Sequence, residues 1–348
     1  MQIESADLCP FGSLRGRPVT QIRLTDGPCS AEILTYGAAL RSLTVPDPTG
    51  KPVDLVLGFD TVEDYVNQDC YIGAIVGPVA NRIGGAACLV NGRALALDPN
   101  EAPNCLHSGL AGFDKAIWTV ESASDRAVTL SHVHPDGLGG IPGDLRVSVT
   151  YTLAGRCLRI DYRVVSDRDT ICNPTNHSYF NLNGHESGSV EGHSVCIHAA
   201  RFTPADAAGI PTGEILPVAG TPMDLRQPKP LRAGLSAEYA QLRLARGYDR
   251  NWAPDGAGFR RIAAVCGDRS GIRMTVWTDR PGVQFYTGNF LPAPLPGKSG
   301  AVYGPRAGLC LETQAFPDAP NHAGFPSIAL KAGEIWTSRT EYRFDAAE

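Results

Sequence analysis

The sequence predicts an all-β protein, a large antiparallel β-sandwich with a few short helices. Three observations carry that expectation. Short alternating or apolar runs recur along the chain, among them SAEILTYGAALRSLTV, RVSVTYTL, CLRIDYRVVS, IRMTVWTD, GVQFYTGNFL and GLCLETQAF; their spacing of roughly 8–12 residues suits a sandwich. Turn sequences bound them, such as PDPTGK, HPDGLGGIPGD, DAAGIPTGE and LPAPLPGKSG, where Pro and Gly hold dihedrals that a strand does not use. Helical periodicity is scarce: only Thr61–Gln68 and Leu235–Ala245 support a turn or two of helix.

Length alone suggests more than one domain, since the chain has 348 residues. Yet no repeat, linker or low-complexity block divides it, and large β folds often run as one unit. A single domain over residues 1–348 is therefore expected. Hydrophobic residues make up 43% of the chain, enough for a sizeable core, while 38 glycines and 27 prolines spread along it point to many turns. A net charge of -5 supplies no basic footprint, so nucleic acid is not an expected partner. MQIESADLCPFGSLRG lacks the basic start and apolar run of a secretory leader. Nowhere does an apolar run approach the ~18 residues of a membrane span, so no membrane partner is expected. The ten cysteines form no C-x-x-C pair and read as core thiols of a reducing, cytoplasmic setting. The acceptor triplet Asn176-His177-Ser178 then has no compartment in which to be glycosylated.

Chemistry concentrates in a few strands and loops. As a strand, Thr175–Leu182 sets Thr175, His177, Tyr179 and Asn181 on one face, with Asn176, Ser178, Phe180 and Leu182 on the other. The first set is a row of hydrogen-bonding groups suited to a polyol, although a solvated outer face explains it as well. In GLCLETQAFPDAPN, Cys310, Glu312 and Gln314 share a face; a glutamate within an apolar strand is costly to bury unless it is paired or functional. His107 in CLHSG, Asp249 and Arg250 in RGYDRNW, and Asn81-Arg82 in GPVANRIGG are further candidates, each with an ordinary structural explanation when taken singly. His132 and His134 stand at i, i+2, but no third ligand at matching spacing makes them a metal site. No G-x-S-x-G elbow supports serine hydrolysis.

Together these segments resemble the aldose 1-epimerase (galactose mutarotase) family, in the family's order and over nearly the whole chain. TYGAALRSLTVPD, VDLVLGFDTVEDY, GPVANRI, CLHSG, GFDKAIWTV, TPMDLR, GYDRNW and YTGNFL are short matches; TNHSYFNL and LETQAFPDAPN are long and specific. The resemblance implies the mutarotase-like supersandwich. It places the catalytic base on Glu312 and the catalytic acid on His177. Its substrate-binding arginine, histidine and aspartate fall on Arg82, His107 and Asp249, with Asn81 and Gln314 as further contacts. Two departures stand out: Pro78 where the family commonly has arginine, and Arg250 where it commonly has histidine.

The reaction this implies needs one base at the C1 hydroxyl and one acid at the ring oxygen, with no metal, nucleotide or other cofactor. The expected partner is a small-molecule monosaccharide, and the expected assembly a monomer or homodimer. On this view Glu312 comes to the opposite side of the C1–O5 bond from His177. Two other readings keep the fold: a hexose-6-phosphate 1-epimerase with Arg250 at the pocket rim as phosphate clamp, and a non-catalytic sugar-binding sandwich.

Overall fold

A computed structural model describes residues 2–3 and 6–346. Three sheets organise them. The largest has ten strands, whose middle runs Ala127–His134, Leu145–Ala154, Cys157–Ser166, Ile335–Ala346, Ile272–Thr278 and Arg260–Cys266. All of these pair antiparallel; the two-residue strand Gln2–Ile3 joins the edge in parallel with Thr119–Ala123. A five-stranded N-terminal sheet comprises Asp7–Leu14, Arg17–Asp26, Cys29–Leu34, Leu40–Pro46 and Pro52–Asp54. The other five-stranded sheet orders Leu216–Pro217, Arg201–Thr203, Asp249–Ala253, Gly282–Tyr286 and Cys310–Gln314. This is the antiparallel β architecture the sequence predicts, with three short α-helices among the described residues.

Period-2 patterning explains the large sheet. In Cys157–Ser166 the residues Leu158, Ile160, Tyr162 and Val164 are buried while Arg159, Asp161 and Arg163 are not. Opposite them, Val147, Val149 and Tyr151 point to the same core, which continues into Ile22, Leu24, Ile33 and Leu43 of the N-terminal sheet. Each such side chain contributes about 1.5–3 kcal/mol by leaving water.

The second five-stranded sheet is different. Gly282–Tyr286 and Cys310–Gln314 are buried on both faces. Trp252, Phe285 and Leu311 enter the core from one side, and the alternation therefore presents Asn251, Gln284 and Glu312 on the other. A polar row on a buried face needs a role, and this one underlies the site.

Two local expectations need correction. TNHSYFNL is not one strand: only Thr175–Asn176 lies in a ladder, paired with Ile75–Val76. Beyond it the backbone changes partners. His177 N–H donates to Ala74 O, Leu57 N–H donates to Tyr179 O, and Phe180 exchanges hydrogen bonds with Leu309. Its partners are short separate segments, with Val56 and Leu309 meeting Phe180 only in isolated bridges, so no single ladder holds it. The helix expected at Leu235–Ala245 divides into Leu231–Leu235 and Ala240–Ala245, because Tyr239 between them is extended (φ -133°, ψ 131°). The Thr61–Gln68 expectation holds as Val62–Val66, its first turn capped by Thr61 Oγ1 accepting from Asp64 N–H.

Candidate active site

Glu312 sits at the middle of its strand, paired with Gln284 in register, and Gln284 in turn pairs with Asn251. Gln284 Nε2 donates to Asp249 Oδ1 at 2.6 Å, which fixes the Asp249 carboxylate beside Glu312. Three neighbouring strands thus aim two acids into one cavity of about 540 Å³.

Loops supply the other wall. Asn81 (φ +63°) and His107 (φ +51°) both adopt left-handed backbone conformations, which cost non-glycine residues of order 1 kcal/mol and persist only when the surroundings enforce them. Here two reciprocal bonds do so: Asn81 N–H donates to His107 Nδ1, and His107 N–H donates to Asn81 O, each at 3.1 Å. Arg82 follows directly. Its Nε and Nη2 donate to the two oxygens of Glu101 at 2.6 and 2.8 Å. The Pro78 departure does not leave this loop unsupported: Asn173 N–H donates to Pro78 O, Asn173 O accepts from Ala80 N–H, and buried Arg280 donates to Asn173 Oδ1.

His177 closes the group. Its Nε2 lies 3.7 Å from Glu312 Oε1, and both side chains are buried. Behind the ring, Cys310 Sγ is 3.6 Å from Nδ1; a thiol is a weak donor and a weak acceptor, so it tolerates Nδ1 bare or protonated. Tyr71, His107 and Tyr179 pack around His177 with ring centroids 5.9, 5.3 and 5.1 Å away.

Burial controls the electrostatics. It pushes the Glu312 carboxyl well above the ordinary range; Asp249 adds to the rise and Arg82 opposes it. It drives the His177 imidazole down to about 4. His107 is also held well below its usual value, by burial first and then by His177 and Arg82. His107 is therefore neutral, and because Nδ1 accepts from Asn81, its proton resides on Nε2. That tautomer matters, since ligand atoms of His107, His177 and Glu312 lie within 4.8 Å of one another. A metal would need the Nε2 lone pair, and a protonated Nε2 has none to give.

Of the residues singled out from sequence, Asn81, Arg82, His107, His177, Asp249 and Glu312 all line this cavity. Gln314 does not. Its strand carries it past the cavity to pair with Gly282, where its side chain is fully buried with neither polar atom partnered. Within TNHSYFNL only His177 and Tyr179 reach the cavity. Thr175 Oγ1 is bound to Thr313 O, and Asn181 Nδ2 donates to Gly188 O and Ala307 O. Arg250 touches the wall, but its Nε and Nη1 are engaged by Gln241 Oε1 and Asp249 O, and its remaining nitrogen is buried without a partner rather than presented at the rim. It is no rim clamp. His132 and His134 belong to an aromatic cluster with Phe113 and Trp118, and His134 Nε2 bonds Leu138 O. Nor can Glu312 face His177 across a sugar ring, because 3.7 Å leaves no room for one; the two stand side by side. Sequence reasoning missed Glu101, Gln284, Tyr71 and Tyr286. Gln284 alone had a signal, as an amide within a buried strand.

The aldose 1-epimerase family model matches residues 20–343. Galactose mutarotase of Homo sapiens is 42% identical over 340 residues, covering 97% of this chain and 98% of the relative. Aldose 1-epimerase of Escherichia coli K12 is 35% identical over 319 residues, covering 90% and 91%. Among solved structures, a GalM/aldose epimerase homologue from C. elegans superimposes with a TM-score of 0.88 at 31% identity, over 94% of this chain and 99% of that one. A galactose 1-epimerase from Lactobacillus acidophilus gives 0.86 at 26% identity, over 99% of each. By its motifs, its fold and these likenesses, the chain belongs to the aldose 1-epimerase family.

Proposed function

We propose that this isomerase interconverts the α and β anomers of free aldoses such as glucose or galactose, with Glu312 as base and His177 as acid. One observation carries the reading: a buried carboxylate and a buried imidazole stand 3.7 Å apart at the floor of a polar cavity. O1 and O5 of a pyranose are bonded to the same carbon, so an acid and a base placed side by side reach both at once.

Glu312 takes the proton of the C1 hydroxyl as the C1–O1 bond becomes a carbonyl. The C1–O5 bonding pair leaves with O5, which receives a proton from His177. Rotation about C1–C2 turns the other carbonyl face to O5, and closure runs the transfers in reverse. Burial helps both partners: a carboxylate that resists ionisation is a stronger base, and an imidazolium that resists forming is a stronger acid. The active ion pair and the neutral pair hold the same single proton, so one transfer interconverts them. Arg82, His107 Nε2–H and Asp249 supply donors and an acceptor for the remaining hydroxyls, and Asn81 lies beside them. Tyr71, Tyr179 and Tyr286 offer apolar surface to the C–H faces.

We further propose that residues 1–348 act as one unit, since the site draws on segments from Asn81 to Glu312. The ten cysteines are free thiols, which suits a reducing cytoplasm; among the described residues no helix is long and apolar enough to cross a membrane. The test is polarimetry or NMR anomer exchange on α-glucose and α-galactose. Acceleration over the uncatalysed rate is expected, and its absence refutes the reading.

A further inference from the structure

The guanidinium fork of Arg82 is already filled. Two of its nitrogens donate to both oxygens of Glu101, the arrangement with which arginine binds a free carboxylate. The turn at Gly209 (φ +77°) covers the plane so closely that a Cβ there would lie 3.2 Å from Cζ, Nε and Nη1. This turn is fixed by Asp206 Oδ1, which accepts from Ala208 N–H and Ile210 N–H. Among the described residues Nη1 has no hydrogen-bond partner, and it remains for a ligand.

The charge around the cavity points the same way. Asp69, Glu101, Asp206, Asp249 and Glu312 line it against Arg82 and Arg250, and Arg250 has Nε and Nη1 bound to Gln241 and the Asp249 carbonyl, with only a buried Nη2 left over. An anionic sugar entering here meets carboxylates and finds no open fork.

We propose that Glu101 is a specificity-determining residue: a built-in carboxylate that occupies Arg82, leaves it one donor for one hydroxyl, and restricts the enzyme to uncharged aldoses against uronates and sugar phosphates. This rests on the mutarotase reading of the site. It assigns discrimination against phosphates to a filled clamp rather than to a missing arginine. It also implies a latent capacity, because emptying the fork gives Arg82 a bidentate site for a substrate carboxylate.

The test compares anomer exchange by NMR for galactose and galacturonate, and for glucose and glucuronate. The enzymes are the wild type and Glu101→Ala, Glu101→Gln and Glu101→Asp. Wild type is expected to favour the neutral sugar in kcat/KM by about 100-fold, the scale of an unrelieved like-charge encounter. Glu101→Ala and Glu101→Gln are expected to narrow that ratio at least about tenfold, with KM for the neutral sugar rising, while Glu101→Asp, which keeps the charge, retains discrimination. Glu101 is partly exposed, with 40% of its side-chain surface accessible, so the variants should fold. An unchanged ratio in Glu101→Ala, even with lower overall activity, would make Glu101 merely structural and overturn the proposal. Equal use of galacturonate and galactose by wild type would overturn it too. If wild type accelerates neither neutral sugar, the mutarotase reading itself falls first.

Discussion

Glu312 is a buried acid whose surroundings do little to stabilise its charge. Its Oε2 has no hydrogen-bond partner, and desolvation is the largest influence on its titration. Such a residue costs stability in exchange for reactivity. Glu312→Gln should therefore lower kcat by at least ~10²–10⁴-fold, the range for loss of a general base, while thermal unfolding shows a fold as stable as wild type or more so. Polarimetry and calorimetry on the same preparation check both halves. The pair also sets a pH profile. Its working state holds one proton. As pH falls through the His177 value of about 4, a second proton binds and no base remains. As pH rises past the elevated Glu312 range, the last proton leaves and no acid remains. The kcat/KM for anomer exchange should thus be flat across neutrality and fall on the acid side toward pH 4. A midpoint near pH 6.5, the value of an ordinary histidine, would contradict this.

At the scale of elements, the site depends on register. Gln284 reaches Asp249 because their strands pair with Asp249 opposite Tyr286, two residue pairs along from Asn251 opposite Gln284 and so on the same face. Gln284→Ala frees Asp249 from its donor without touching Glu312 or His177. Loss of a hydrogen bond to a charged group is worth about 1.5–3 kcal/mol, so kcat/KM should drop roughly 10–100-fold, mainly through KM; a kcat-only effect would argue against this role. Beneath the polar row, Phe285→Ala removes a fully buried ring and should destabilise the protein by ~3–5 kcal/mol in denaturant titration. These elements also mark the limits of sequence reading. Alternation in GLCLETQAF correctly placed Glu312 and Gln314 on one face, yet only Glu312 meets the cavity. Periodicity specifies a face and not how far along it a pocket lies. In TNHSYFNL the alternation held only for His177 and Tyr179, which reach the cavity, and not for Thr175 and Asn181, because the backbone changes partners along the segment.

At the scale of the molecule, Lys298 ties distant regions together. It is 2% exposed, with Nζ 2.6 Å from Asp54 Oδ2 and donating to Arg41 O. Asp54 also accepts from Ser42 Oγ and Leu43 N–H. A turn read from LPAPLPGKSG thus anchors the N-terminal sheet. Lys298→Ala should cost about 3–5 kcal/mol, since it leaves a part-buried carboxylate without its cation; equilibrium unfolding measures it.

The β architecture was legible in period-2 runs cut by turn residues, and the motifs named six cavity residues because a reaction tied to specific atoms demands specific side chains. The arrangement of the site came from packing. It placed Glu312 beside His177, locked the His107 tautomer, tied Arg250 into the cavity wall, and filled the Arg82 fork with Glu101. Those outcomes depend on distances between segments remote in the chain, and neither periodicity nor composition carries a distance.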